Sequence, residues 1–183
     1  MSKIAGANGR LFEDAATWPV FGTASLSGYE RSRVYINRGV AGWVDVAKNV
    51  GVTDLYDGRA VALADLSSHG AVDVIVANQN QPAVLYRNTP DTANHWIAFT
   101  LVGTRSNRSA IGAEVLLESG DLKQRRVVDG GSGFASQNDR RLHFGLGSRE
   151  WVDRIIITWP SGTRQIVLRP RVDSFVTVTE PQH

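Results

Sequence analysis

The stretch from Asp57 to Asn78, DGRAVALADLSSHGAVDVIVAN, constrains the fold of this chain more than any other. It holds two apolar runs, Ala60–Ala64 and Val72–Ala77, on either side of a polar loop. Their shortness and their small and β-branched residues make them strands covered on both faces rather than pieces of helix. The loop between them, Asp65-Leu-Ser-Ser-His-Gly-Ala-Val-Asp73, has the outline of a calcium loop that lacks its middle carboxylates.

Strand signals continue on both sides. Val34 and Ile36 alternate with Tyr35 and Asn37, Trp43–Val46 starts a short extended piece, and Ala83–Asn88 alternates after Pro82. Together these make about four strands joined by short turns, the antiparallel meander of one propeller blade. One blade cannot bury both of its faces alone, so the second half of the chain, a second copy or further blades must cover it. The phrase Leu11-Phe-Glu-Asp-Ala15 returns loosely as Trp43-Val-Asp-Val-Ala47, a hint of repetition, and Gly22–Gly28 reads as an exposed loop.

After the polar, proline-containing stretch Thr89–Asn94, Trp96–Val102 places Ile97, Phe99 and Leu101 on one face. Alternating segments follow at Ala113–Glu118, Gln124–Asp129, Arg141–Phe144, Arg154–Trp159, Arg164–Leu168 and Ser174–Thr179. Between them lie turn residues, including Trp159-Pro-Ser-Gly162 with Pro at the second position and Gly able to take positive φ. Seven such strands argue for an antiparallel sandwich or barrel. The expected fold is therefore all-β, one blade-like meander plus a C-terminal β-sandwich, with a turn or two near Val44–Val50 as the best helical candidate.

Composition narrows the function classes. Cysteine is absent, which excludes disulfides, thiolate metal sites and a cysteine nucleophile. Twenty basic residues, seventeen of them arginine, alternate with eighteen acids. A nucleic-acid footprint would need them clustered on one face, so no nucleic-acid partner is expected. No apolar run approaches the ~20 residues of a membrane helix, and the start MSKIAGANGR lacks the ~7–15-residue apolar core of a secretory signal. As written the chain reads as cytoplasmic, or as exported if it is a piece of a longer protein.

The phrases at Asp57–Asn78 and Leu85-Tyr-Arg-Asn88 resemble an FG-GAP or VCBS propeller repeat. Further on come Asn94-His-Trp96, Gly103–Ala113, Gly130-Gly-Ser-Gly-Phe134, Gln137-Asn-Asp139, Arg141–Gly147 and Trp159-Pro-Ser-Gly162, which in this order resemble the ASPIC/UnbV domain. The resemblance implies a partial repeat region at residues 1–90 and a β-sandwich domain at residues 91–183. It also implies propeller repeats before the sandwich, in proteins that are often larger and exported. Through its UnbV branch it implies a link to enediyne natural-product gene clusters, without a defined chemical role.

In the family's repeat the loop often holds calcium on Asp-x-Asp-x-Asp-Gly-x-x-Asp. Here Asp65 and Asp73 keep the outer positions, while Ser67 and His69 replace the inner acids. Calcium wants six to eight hard oxygens, and imidazole suits other metals better. A metal-free turn is therefore expected, with calcium on Asp65, Ser67 and Asp73 as the lesser alternative and no other cofactor.

Asp129-Gly-Gly-Ser-Gly-Phe134 matches neither a nucleophile elbow nor a phosphate loop, so Ser132 is expected to shape a loop or touch a ligand. The four histidines, His69, His95, His143 and His183, show no metal-ligand spacing. The best recognition candidates are Ser106, Asn107 and Arg108 together with Ser132, Phe134, Gln137, Asn138 and Asp139. Amide, guanidinium and carboxylate groups near an aromatic ring, on loops of a rigid β scaffold, suit a small polar molecule, a glycan or a protein. The alternative is that they hydrogen-bond neighbouring turns. The leading expectation is a non-catalytic binding module. An accessory tailoring or cyclisation enzyme, using Asp65, Asp139 or His143, is the rival. A self-assembly role through open sheet edges is the third.

Overall fold

The computed structural model describes residues 30–89 and 93–182. The Leu11–Ala15 phrase and the Gly22–Gly28 loop lie outside them. By its contacts the chain divides into two compact units, Met1–Asp57 with Gln79–Gln81, and Gly58–Asn78 with Pro82–His183.

In the first unit, β1 (Tyr35–Asn37) and β2 (Trp43–Asp45) form an antiparallel hairpin around a single 3-10 turn at Gly39–Ala41. Beyond it, Val50 N–H donates to Val46 O and Val52 N–H to Ala47 O, so the helical candidate is one unpropagated turn. The strands before Gly51 and those after Asp57 belong to different sheets. The expected four-stranded meander is a hairpin and a separate three-stranded sheet.

The second unit begins with that sheet, β3 (Gly58–Ala64), β4 (Asp73–Asn78) and β5 (Val84–Tyr86), antiparallel in the order β3-β4-β5. Seven strands follow: β6 (His95–Val102), β7 (Glu114–Ser119), β8 (Leu122–Val127), β9 (Leu142–Gly147), β10 (Arg154–Thr158), β11 (Arg164–Leu168) and β12 (Ser174–Thr179). They form a four-stranded sheet, β11-β10-β7-β8, and a three-stranded sheet, β12-β6-β9. All pairings are antiparallel except β12 beside β6, whose strands run parallel. The described residues are thus all-β, and no helix among them is long and apolar enough to cross a membrane.

Period-2 alternation puts one face of each sheet into a shared core. Ile97, Phe99 and Leu101 of β6, Phe144 and Leu146 of β9 and Val178 of β12 meet Val115 and Leu117 of β7 and Ile155 and Ile157 of β10. Phe99 and Phe144 pack edge to face with centroids 5.8 Å apart. Trp159 closes one end of the core, its indole N–H donating to Gln165 Oε1 at 3.0 Å. The Trp159–Gly162 turn closes through Gly162 N–H to Trp159 O at 2.9 Å, and Gly162 takes φ +87°. A side chain is strained there, which is why the hairpin needs glycine.

Candidate ligand-binding site

The outer face of the β12-β6-β9 sheet is aromatic. Trp96 stacks on His143, with planes 8° apart and centroids at 5.8 Å, and tilts against Phe175 at 4.9 Å. The Asp65–Asp73 loop lies on this face. His143 Nε2–H donates to Gly70 O at 2.7 Å, and Arg141 Nη2 donates to Asp65 O at 3.0 Å. Gly70 has φ +85°, and a Cβ there would fall 2.0 Å from Trp96 Nε1, so the contact needs a bare backbone. Burial lowers the pKa of His143, which favours the neutral ring that makes this bond.

Within the loop the two outer acids are already engaged. Asp65 accepts His69 N–H at 3.2 Å and Gly70 N–H at 2.8 Å, one on each oxygen. Asp73 accepts Asn88 N–H at 2.8 Å and Leu66 N–H at 3.3 Å, again one on each oxygen. The Asn88 amide leads in holding the Asp73 carboxyl below its usual range, against the effect of burial. Ser67 Oγ accepts from Arg87 Nη2 at 2.8 Å, and His69 Nδ1 accepts Ala71 N–H at 3.3 Å. Asp65, Ser67 and Asp73 thus each accept hydrogen bonds from within the protein. Among the described residues no group of three or more His, Cys, Asp or Glu is placed to hold a metal ion. Two carboxylates and one hydroxyl fall short of the six to eight hard oxygens that calcium takes.

The loop after β6 is built around an acid that its own sequence does not contain. Glu180 is 2% exposed. Its Oε2 accepts the consecutive amides of Thr104, Arg105 and Ser106 at 2.7–2.9 Å. Its Oε1 accepts the hydroxyls of Ser106 at 2.9 Å and Ser161 at 2.5 Å. Burial works to raise this carboxyl's pKa, but the Ser106 amide, the Ser161 hydroxyl and the other donors bring it down to about 2. Ser106 is thus fully used inside the fold. Asn107 is too: its amide group donates to Ile111 O and accepts Ile111 N–H, both at 2.9 Å. Arg108 differs from both in lining a cleft.

The segment between β8 and β9 is held by side chains. Asn138 Nδ2 donates to Ser132 Oγ at 2.9 Å, and its Oδ1 accepts Leu63 N–H at 2.9 Å. Asp139 N–H donates to Leu63 O at 2.8 Å, so this segment covers part of the β3 edge. The Asp139 carboxylate takes the Arg141 side chain at 2.5 Å and the Arg141 amide at 3.0 Å. Burial opposes the charge on Asp139, yet Arg141 keeps its pKa below the ordinary value.

Ser132, Gln137, Asn138 and Asp139 are brought together around a cleft of about 170 Å³. Arg108 belongs to a neighbouring cleft of about 360 Å³, which shares Asp139 and Arg140 with the first. Phe134 stands 79% exposed and lines neither. Ser106 and Asn107 line neither as well. Asp65, Asp139 and His143 do meet, on a third cavity of about 350 Å³ walled by Leu63, Val72, Ala98 and Phe175. Each is already bonded as described. Glu180 is the residue of these loops that the sequence did not flag. Glu180 carries no motif, and the three amides it accepts lie 74 to 76 residues away. The cation–π contact of Arg141 with Phe175, 4.6 Å from the ring centroid, joins the start of β9 to β12 across the sheet and so is not visible in local spacing.

Residues 103–183 match the family described as ASPIC and UnbV. Three curated proteins are similar to the chain, all named cartilage acidic protein 1. The mouse (Mus musculus) protein is 29% identical over 133 residues, 68% of this chain and 20% of its own length. The Xenopus tropicalis protein is 31% identical over 122 residues, 62% of this chain and 18% of its own length. The human (Homo sapiens) protein is 32% identical over 111 residues, 57% of this chain and 16% of its own length. The chain therefore spans a fifth or less of these relatives.

Proposed function

We propose that the chain acts as a non-catalytic binding or interaction module, on the footing that residues 103–183 match the family described as ASPIC and UnbV. One observation carries this reading. Phe134, Gln137, Arg108 and Arg140 are exposed on loops whose backbones are pinned by Asn138, Asp139, Asn107 and Glu180. A fixed frame that presents an exposed aromatic ring, and an amide and two guanidiniums at clefts, gives up little conformational entropy on binding. The UnbV resemblance extends the proposal to a supporting place in enediyne-type natural-product biosynthesis.

The alternative, an accessory tailoring or cyclisation enzyme, draws on the cavity where Asp65, Asp139 and His143 meet. A general acid or base must be able to reach a substrate proton. Here the imidazole is bonded to Gly70 O and both carboxylates are bonded to internal donors, which favours binding over catalysis.

Amide chemical-shift mapping tests the proposal, with glucose, galactose and N-acetylglucosamine as probes. Perturbations are expected at residues 106–108 and 130–139, reduced in Phe134→Ala and Gln137→Ala, with the sugars recovered unchanged. Perturbations confined to other surfaces, or conversion of a probe, would sink it.

A further inference from the structure

Beyond the aromatic and amide groups of these loops, the 360 Å³ cleft has a sign. It is lined by Thr100, Leu101, Val102, Arg108, Ser109, Val128 and the run Asp139-Arg140-Arg141. Three guanidinium residues face one carboxylate, and that carboxylate is taken by Arg141. Arg141 is further committed to Asp65 O and to the Phe175 ring. Two cations remain. Arg140 Nη1 donates to Ser109 Oγ at 3.0 Å, which fixes the guanidinium at the cleft while leaving its other donors open. Arg108 has no ion pair among the described residues and is exposed at the same cleft. The Thr100 and Ser109 hydroxyls add two more donors, and Leu101 and Val128 supply apolar wall. Every uncommitted polar side chain here can donate a hydrogen bond, and the two charges left over are positive.

We propose that this cleft binds a tetrahedral oxyanion, sulfate or phosphate, between Arg108 and Arg140, with the Ser109 and Thr100 hydroxyls as further donors. A neutral or cationic ligand would leave two guanidiniums uncompensated, whereas an oxyanion accepts from planar forks of this kind at charge-assisted strength. The nearby Asp139 does not repel it, because Arg141 matches that charge. The assignment rests on the binding-module reading and gives that module a ligand class.

The test is calorimetric and NMR titration of the whole chain at constant ionic strength, with inorganic sulfate, inorganic phosphate, glucose 6-phosphate and glucose. Saturable 1:1 binding of an anionic probe is expected, with shifts at Thr100, Arg108, Ser109 and Arg140. Arg108→Ala and Arg140→Ala should each weaken it about tenfold, the value of one charge-assisted hydrogen bond. Arg164→Ala, on the edge strand β11, should leave it unchanged. Tighter binding of glucose 6-phosphate than of inorganic phosphate identifies an esterified anion, and equal binding a free one. A response without saturation, or equal weakening by Arg164→Ala, overturns the assignment. If neutral sugars still perturb residues 130–139 while no anion binds, only the anion assignment falls. If neither binds, the module reading falls with it. The three arginine variants change exposed side chains, and thermal melts matching the parent confirm that they fold.

Discussion

At the scale of single residues, Glu180 is the acid that organises the sandwich's loops. Its pKa is about 2 in the folded chain against an ordinary 4.5, so unfolding binds a proton between those values. The stability it contributes is fully present above the unfolded value and is lost as pH falls through the folded one. Glu180→Gln should lower Tm at pH 7, since an amide cannot accept three backbone N–H groups on a charged oxygen. The gap between variant and parent should close as pH drops from about 5 towards 2. A Tm gap that does not change across that range would contradict this. Asn107 and Asn138 stand on the same footing, as loop braces. Asn107→Ala and Asn138→Ala should each cost about 1 kcal/mol in denaturant unfolding, and unchanged stability would return them to the list of free recognition residues.

At the scale of elements, the Asp65–Asp73 loop shows how a metal-loop outline can persist as a docking turn. Its carboxylates bind loop amides, and its Gly70 carbonyl binds His143. Two predictions belong here. Millimolar calcium should leave Tm unshifted, because a ligand that binds only the folded state must raise it. Gly70→Ala should destabilise by about 1–3 kcal/mol, as a methyl group driven into a packed ring does, since its Cβ would meet Trp96 Nε1 at 2.0 Å. Calorimetric heat on adding calcium would refute the first, and a parent-like urea midpoint the second.

At the scale of the whole second unit, β3, β4 and β5 share contacts with the sandwich rather than standing apart from it. Asn138 and Asp139 pair with Leu63 across 75 residues of sequence or more. Phe144→Ala should therefore cost about 3–5 kcal/mol. In hydrogen exchange it should lower the protection of β3 and β4 amides along with those of β6 and β9. Protection lost in the sandwich alone would show that the sheets open independently. Leu168→Ala, at a side chain 71% exposed, should stay within about 0.5 kcal/mol of the parent.

The sequence by itself determined the strands and the core. Period-2 alternation at Trp96–Val102 and Arg154–Trp159 assigns Phe99, Ile155 and Ile157 to the interior without knowledge of the partner strand, because a strand's two faces are set by its own pleat. Turn chemistry such as Trp159–Gly162 was legible for the same reason: backbone preference is local. Which polar loop residues are free was decided only by tertiary structure. Ser106 and Arg108 sit two positions apart with the same look of a recognition loop, yet one is bonded to an acid seventy-four residues away and the other faces a cleft. A polar side chain's role depends on whether a distant donor or acceptor reaches it, and only folding brings Glu180, Leu63 and Gly70 to where they answer that question.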